Sequence, residues 1–552
     1  MAKIKVSSYL VRQLEKLGIE EIFGLPGDYN FELVEAIEKS DKISWIGSTN
    51  ELNGGYCADG YARQKGYGAL LTTFGVGELS AINAIAGCAS ENIPVMKITG
   101  TPSSEHIKNK TLLHHNLKNA DYYAFYKAYQ NIVEDCAFLT KENAKNEIDR
   151  LINVMVKTKK PVYIAIPMDV AVYEIEDDKK NITEPTSDID NLKYALDKII
   201  NEIKNSRNPV VIADILARRF NSREEINNFL EKTKIPSTCF LRGLDVIKTS
   251  TPNFFGCYAG KNDNFECYNY TNSSDCIICF GDVISDLNTL GFDFKFDIQN
   301  IISIQGNFIN FKGEIIENVL MKDLARELYK KIDYKSDKTI ERKFKYKKTD
   351  FNLDEKLSAK YIYPRLEKFL KEGDIYINEV GLSTFGTMPM MLPCNIDINN
   401  QLLWGSIGWA TPCAFGCAIA QKERRVILIT GDGAHQLTAQ EISAMMRYKV
   451  KPVIFVINNS GYTVERILCD NVNAKYNDIA KWNYSILPEV FVGECFCAKA
   501  ETNREFDEIL EKIEKIQKEK MCYIELCCDY LDIPKLALSS AKHPEQLKRE
   551  EI

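Results

Sequence analysis

Asp28, Glu51, His114, His115, Asp432, Asn459 and Glu465 are the side chains whose types and spacing can do chemistry. Asp432 and Asn459 sit in the stretch from Val426 to Glu465, VILITGDGAHQLTAQEISAMMRYKVKPVIFVINNSGYTVE. A carboxylate, a side-chain amide and a nearby loop carbonyl are hard oxygen donors, which suit Mg²⁺ holding a phosphorylated ligand. Gly-Asp-Gly alone is an ordinary turn, and Asn-Asn after a strand is equally ordinary; their pairing is what carries the reading. The elements that must position them are an apolar run closing at Gly431-Asp432-Gly433, an amphipathic helix, and a second apolar run from Val453 to Ile457 closing at Asn458-Asn459. In an open parallel sheet, ligands collect at the carboxyl ends of the strands, so both side chains share one rim.

The first third of the chain repeats this grammar. Leu10, Leu14 and Leu17 recur at helical spacing and Gly18 closes that helix. A strand from Glu21 to Phe23 runs into Gly24, Pro26 and Gly27, a tight loop that presents Asp28. After a strand from Ile43 to Ile46, Glu51 opens a helix, where the dipole alone would favour a carboxylate. The strand from Ala69 to Thr73 ends in Gly75-Val76-Gly77, but Ser80 stands where a dinucleotide fingerprint needs its third glycine. What remains is a glycine loop that lets backbone approach a ligand. Beyond the strand from Val95 to Thr99, the polar loop holds or borders His106, His114 and His115, three of only five histidines. Neighbours in an extended loop point apart, so His114 and His115 cannot both fill a core, and histidine passes protons near neutral pH.

A chain of 552 residues, 45% hydrophobic and 27% charged, is globular and too long for one core. A buried strand from Val162 to Ile166 leads into the polar linker EDDKKNITEPTSDID, and strands at Val210 to Ala213, Cys276 to Phe280 and Ile301 to Ile304 make a second α/β region. That region shows no phosphate loop and no acid–base cluster. The lysine-rich run from Lys330 to Lys348 is expected to be a solvated connection, followed by a helix near Tyr361 to Phe369 and a strand from Ile375 to Asn378. Three α/β domains follow, at 1–180, 190–330 and 355–552. A net charge of -7 disfavours nucleic acid, and no stretch demands a membrane. The seventeen cysteines are scattered, odd in number and mostly in apolar runs, so reduced thiols in a cytoplasmic protein are expected, with no secretory signal.

The ordered matches at Gly24 to Asp28, Glu51, Gly75 to Ser80, His114-His115, the WGSIG loop through Gly405 to Gly408, and Gly431 to Glu465 resemble the thiamine diphosphate (ThDP) dependent 2-keto acid decarboxylases, in the pyruvate and indolepyruvate decarboxylase group. The likeness covers nearly the whole chain and is loosest in the middle. It implies three doubly wound parallel-sheet domains: pyrimidine-binding, middle and diphosphate-binding. It implies ThDP with Mg²⁺, the ion held by Asp432, Asn459 and the Gly461 carbonyl. Pro26, Glu51, Val76, Gly381, Gly405, Ser406, Ile407, Gly431, Gly433, Ala434, Tyr462, Thr463 and Val464 would contact the cofactor. Glu51 would hydrogen-bond the aminopyrimidine ring, and Asp28, His114, His115 and Glu465 would manage later proton transfers. The family also implies a homodimer at least, commonly a homotetramer built as a dimer of dimers.

Departures from the family pattern fall at Val380, Leu382, Ala434 and His435. An apolar Val380 favours apolar or aromatic 2-keto acids, and His435 is expected at a helix start facing solvent. Apolar Ile215 and Leu216 stand where yeast-type enzymes carry a regulatory cysteine, which argues against thiol-based substrate activation. Two other functions use the same fold: a carboligase resembling acetolactate synthase, against which His114-His115 and Glu465 argue, and a non-catalytic regulatory relative, against which the retained Glu51 and metal motif argue.

Overall fold

The computed structural model describes residues 3–177, 182–347 and 349–547. The expected first boundary near residue 180, Lys348 of the lysine-rich run and the last five residues of the third expected domain lie outside these. The chain divides into two compact units. One unit takes the residues up to Pro185 with Gly408–Glu423 and Thr438–Val450; the other takes Thr186–Ile407, Arg424–Leu437 and the chain from Lys451 onward.

The first unit holds a six-stranded sheet in the order Ser44–Gly47, Glu21–Gly24, Gly68–Thr73, Val95–Thr101, Val162–Pro167 and Asp135–Phe138, parallel throughout. Its central strands are apolar runs buried on both faces, as a parallel sheet under helices requires. The helix Glu51–Lys65 packs on Ala410–Ala420, a helix of small residues that is buried all round. Their approach leaves no room for side chains at the crossing: a Cβ on Gly416 would lie 1.9 Å from the Cys57 carbonyl oxygen, and one on Gly60 2.2 Å from that of Cys413.

The second unit carries two sheets. One runs Asp397–Asn399, Ile375–Asn378, Val426–Gly431, Val453–Asn458, Met521–Cys527 and Cys495–Ala500, again all parallel. Numbered within its own sheet, this is the order 2-1-3-4-6-5, the same as in the first unit. Each sheet therefore has its topological switch point between its first and third strands, where the chain leaves a crevice for ligands. The other sheet is parallel from Phe254–Cys257 through Ile302–Ile304, then closes with the antiparallel strands Phe308–Phe311 and Glu314–Glu317. Residues 305–307 and Lys312-Gly313 are too short for crossovers, so these two edge strands add to the parallel sheet as hairpins.

The lysine-rich run is not a free connection. Ile332 and Phe344 are buried, and the guanidinium of Arg342 donates to Phe344 O and Met390 O, so apolar anchors and one arginine strap it down. Among the described residues no helix is long and apolar enough to cross a membrane.

A buried ion network ties the middle sheet to the strand Asp397–Asn399. Asp397 accepts from Arg223 at 2.7 Å and Arg424 at 2.6 Å, while Asp245 accepts from Arg218 at 2.8 Å and from the Ile398 backbone at 2.8 Å. Burial works against the Asp397 carboxylate, but Arg218, Arg424 and Arg223 hold its pKa down at about 2. Its folded pKa lies below the unfolded value, so its stabilisation is full above about pH 4 and is lost as pH falls through about 2. Near-neutral, that contribution is about 2 kcal/mol. Asp397→Asn is expected to cost about 2 kcal/mol, because the partly buried Arg223 and Arg424 lose the carboxylate they share. Urea unfolding at pH 7 and pH 3 checks this: the gap between parent and variant should narrow in acid.

Candidate active site

In the second unit the crevice opens where the switch point places it. Glu379 to Leu382 leave the first strand, Gly431 and Asp432 the third, and Asn459 to Gly461 the fourth. Asp432 is buried, its Oδ1 accepting from Gly433 N at 2.7 Å and its Oδ2 from Asn459 N at 3.1 Å and Gly461 N at 3.2 Å. Burial pushes its pKa up to about 6 despite these donors. A buried carboxylate of that kind calls for a positive partner.

The amide of Asn459 shows where such a partner fits. With its oxygen turned toward the carboxylate, that atom stands 3.0 Å from Gly461 O and 3.3 Å from Asp432 Oδ1. The Asp432 carboxylate, the Asn459 amide and the Gly461 carbonyl thus converge on one point. Their spacing is close to the roughly 2.9 Å between adjacent ligands of an octahedral ion with bonds of about 2.1 Å. With the amide turned over, its NH₂ donates to both oxygens and its oxygen accepts from Thr463 Oγ1 at 2.9 Å, which satisfies the group without an ion. A carboxylate, an amide and a backbone carbonyl gathered in this way are the hard donors that suit Mg²⁺. Gly461, at φ +143, is the residue the turn needs, since a side chain there would meet Asn477 O at 2.2 Å.

Gly381, Ile407, Gly431, Gly433 and Ala434 line the same crevice, as do Tyr462, Thr463 and Val464. Val380 and Leu382 line it too. Gly405 and Ser406 precede Ile407 in a loop held by Gln401, which accepts from Gly405 N through its carbonyl at 3.0 Å and from Ser406 N through its side chain at 3.2 Å. Glu465 stands exposed on the helix Thr463–Leu468, one residue past the crevice-lining Val464.

His435 does not face solvent. It is fully buried, with Nε2 3.0 Å from the Tyr523 hydroxyl and Tyr484 and Tyr523 against its ring. Burial pulls its pKa down to about 3, so it is a neutral core histidine under the Asp432 turn. Its place in the first turn of a helix suggests exposure; the tertiary packing of that turn onto the strand Met521–Cys527 overrides it. Reading the sequence also missed Glu379, Gln401 and Asp532. Glu379 and Asp532 line the crevice, and only the position of Glu379 directly after a strand could have drawn attention to it.

In the first unit, Asp28, Glu51 and Val76 all follow carboxyl ends of strands on one rim, with Pro26 exposed in the loop before Asp28. Glu51 is the first residue of its helix, behind Asn50, whose side chain caps the helix by accepting from Asn53 N at 2.8 Å. The Glu51 carboxylate lies over Gly77: a Cβ there would sit 3.2 Å from Oε1 and 3.3 Å from Thr72 Cβ. Beneath this surface, Lys97 is wholly buried and donates at 2.8 Å each to Thr72 Oγ1, Thr99 Oγ1 and Ile98 O. Buried Glu78 accepts from Gly75 N at 2.7 Å and the Tyr163 hydroxyl at 2.6 Å. Burial pulls the Lys97 ammonium down, and Glu78 and Glu51 pull it back, so the rim carboxylate is backed by a cation that sequence periodicity does not reveal.

His114 and His115 do not point apart. His115 has φ +65, which swings the chain so that the two rings meet edge to face at 4.5 Å. His114 Nε2 is 2.9 Å from Asp28 Oδ2, its Nδ1 is 3.2 Å from the Tyr29 hydroxyl, and its ring stacks on Tyr29. Gly75 closes on this pair, where a Cβ would meet His115 O at 2.3 Å. An acid and two imidazoles gathered in this way can relay protons at neutral pH.

Three family models match the chain: "Thiamine pyrophosphate enzyme, N-terminal TPP binding domain" over residues 4–125, the central domain over 196–327 and the C-terminal TPP binding domain over 384–526. Among curated proteins, pyruvate decarboxylase isozyme 3 of Saccharomyces cerevisiae is 34% identical over 560 residues, spanning 98% of each chain. Pyruvate decarboxylase of Aspergillus fumigatus is 35% identical over 501 residues, 88% of this chain and 87% of that one. Among solved structures, the thiamine diphosphate-dependent 4-hydroxybenzoylformate decarboxylase of Rhodococcus jostii RHA1 aligns with a TM-score of 0.76 at 17% identity, covering 96% of this chain and 99% of its own, a likeness of fold.

Proposed function

The chain belongs to the thiamine diphosphate-dependent 2-keto acid decarboxylases, and from that premise we propose how its own residues divide the non-oxidative conversion of a 2-keto acid to an aldehyde and CO₂. ThDP supplies the sink for the electron pair left when CO₂ departs. Asp432, Asn459 and the Gly461 carbonyl would hold Mg²⁺, which would offset the charge of the diphosphate. Gly431, Gly433, Ala434, Tyr462, Thr463 and Val464 would line the diphosphate, and Gly381, Gly405, Ser406 and Ile407 would hold the aminopyrimidine. The N-terminal rim contributes Pro26 and Val76 as ring contacts and Glu51 as the carboxylate that holds and returns a proton. Asp28, His114, His115 and Glu465 bind the substrate and deliver the later protons. The observation that carries this assignment is the convergence of the buried Asp432 carboxylate, the Asn459 amide and the Gly461 carbonyl at the switch point of their sheet.

The domain division at 1–180, 190–330 and 355–552 is part of the same reading, with the family-model spans in its support. So is a homodimer as the smallest active assembly, pairing into a homotetramer. Exposed apolar residues beside the rims support it: Phe31, Val76, Leu112 and Leu117 in one unit, Leu437 and Leu468 in the other. Seventeen cysteines, all free, support a cytoplasmic site of action.

The substrate is a 2-keto acid of the pyruvate, branched-chain, phenylpyruvate or indolepyruvate type, and Val380 at the crevice favours the apolar and aromatic members. Release of aldehyde and CO₂ from these four classes, with ThDP and Mg²⁺ supplied, tests the function. Turnover is expected to be highest on an apolar or aromatic side chain. No CO₂ from any of them would end the reading.

A further inference from the structure

We propose that Asp28, His114 and His115 together form a binding site for a borderline-soft divalent ion of zinc's class. One ligand atom from each of the three lies within 4.8 Å of the other two. Adjacent ligands of a tetrahedral zinc with bonds near 2.0–2.1 Å stand about 3.3–3.5 Å apart, so side-chain rotations of about 1 Å close the set. Asp28 and His114 are already nearer than that, at 2.9 Å, and both are about half exposed, so an ion has a path to them.

Two features beyond the cluster favour a metal. His114 presents its second nitrogen, Nδ1, 3.2 Å from the Tyr29 hydroxyl, with the rings stacked 4.8 Å apart. A ligating histidine needs such an outer partner: in the tautomer with the proton on Nδ1, Nδ1–H donates to the phenol oxygen and the Nε2 lone pair is left for the ion. His115 Nδ1 is buried and has no hydrogen-bond partner, so the ring is committed to neither tautomer and keeps a lone pair in reserve. The donor set is two imidazoles and one carboxylate, which favours zinc over Mg²⁺, an ion that prefers oxygen throughout. The Mg²⁺ corner at Asp432 offers only oxygens, so the two sites are chemically separate.

The consequence for activity rests on the function proposed above, whereas the binding itself does not. An ion here removes the carboxylate and both imidazole lone pairs from proton transfer. The experiment uses untagged full-length protein loaded with ThDP and Mg²⁺, with Zn²⁺ buffered by a chromophoric chelator. The expected result is uptake of one zinc per chain, with turnover falling in proportion and returning when a zinc-selective chelator is added. His114→Gln and His115→Gln should each weaken uptake by about 100-fold or more, and Tyr29→Phe by about 10-fold, with unchanged melting temperatures. Equal zinc uptake by the double variant His114→Gln/His115→Gln would overturn the site, as would full turnover by an active enzyme with one zinc bound. Uptake that depends on these residues in a protein that decarboxylates nothing would uphold the site and sink the functional reading instead.

Discussion

Glu51→Gln is expected to lower turnover by about a thousandfold while leaving the affinity for ThDP and Mg²⁺ within a few-fold of the parent. Glutamine keeps the length and one acceptor oxygen of the side chain but cannot exchange a proton, so the variant separates proton transfer from binding. The fold will not confuse the result. A carboxylate in the first turn of a helix contributes about 0.5 kcal/mol through the helix dipole, far below the roughly 4 kcal/mol that a thousandfold rate loss represents. The neighbours of Glu51 also stay in place: Asn50 still caps the helix, and the carboxylate's berth over Gly77 accepts an amide of the same size. Lys97 lies beneath, and losing the carboxylate removes one of the two anions that support its charge while its three oxygen acceptors stay in place. Steady-state kinetics and calorimetric titration with ThDP·Mg²⁺ provide the two readouts. Equal turnover by the variant and the parent would remove Glu51 from the chemistry.

How much of this site the sequence discloses depends on whether a residue's role is local. The strand ends at Asp432, Asn459 and Glu51 could be read directly, because apolar runs and the glycines after them mark where a parallel strand stops. The strand order 2-1-3-4-6-5 could not, since it depends on which apolar runs pair, and periodicity is blind to pairing. His435 shows the limit clearly. Its place in the first turn of a helix suggests exposure, yet the turn packs inward and the ring meets Tyr523 from a strand 88 positions away in sequence. His114 and His115 fail in the other direction: extended-loop geometry separates them, but one left-handed residue at His115 brings them together. Lys97 sits in an apolar strand where its three oxygen partners, together with the Glu78 and Glu51 carboxylates, support its charge. Interactions made across the sheet are what the linear pattern leaves out.

Asp432→Asn is the second large effect, and its signature is a split between resting and loaded protein. In the protein without cofactor, burial holds the Asp432 pKa at about 6, above the unfolded carboxylate value. A raised folded pKa means that the ionised form at neutral pH opposes folding, by about 3 kcal/mol for a shift of this size. Asparagine removes that charge and can still accept through one oxygen from Asn459 N and Gly461 N, at the cost of one contact to Gly433 N. A lost hydrogen bond of this kind costs about 1 kcal/mol, so the balance favours the variant. The cofactor-free variant should therefore melt no lower than the parent. Loading reverses the order. The neutral amide cannot balance Mg²⁺, and affinity for ThDP·Mg²⁺ should fall by at least about 100-fold. A ligand present at about 100 times its Kd stabilises the parent by about 2.7 kcal/mol, and that gain should vanish in the variant. Melting curves with and without ThDP·Mg²⁺ test both halves at once. A variant that gains as much from the cofactor as the parent would remove Asp432 from the metal corner. One that is destabilised without cofactor by several kcal/mol would show that the carboxylate is held for the fold, and that its burial is offset by the three backbone donors alone.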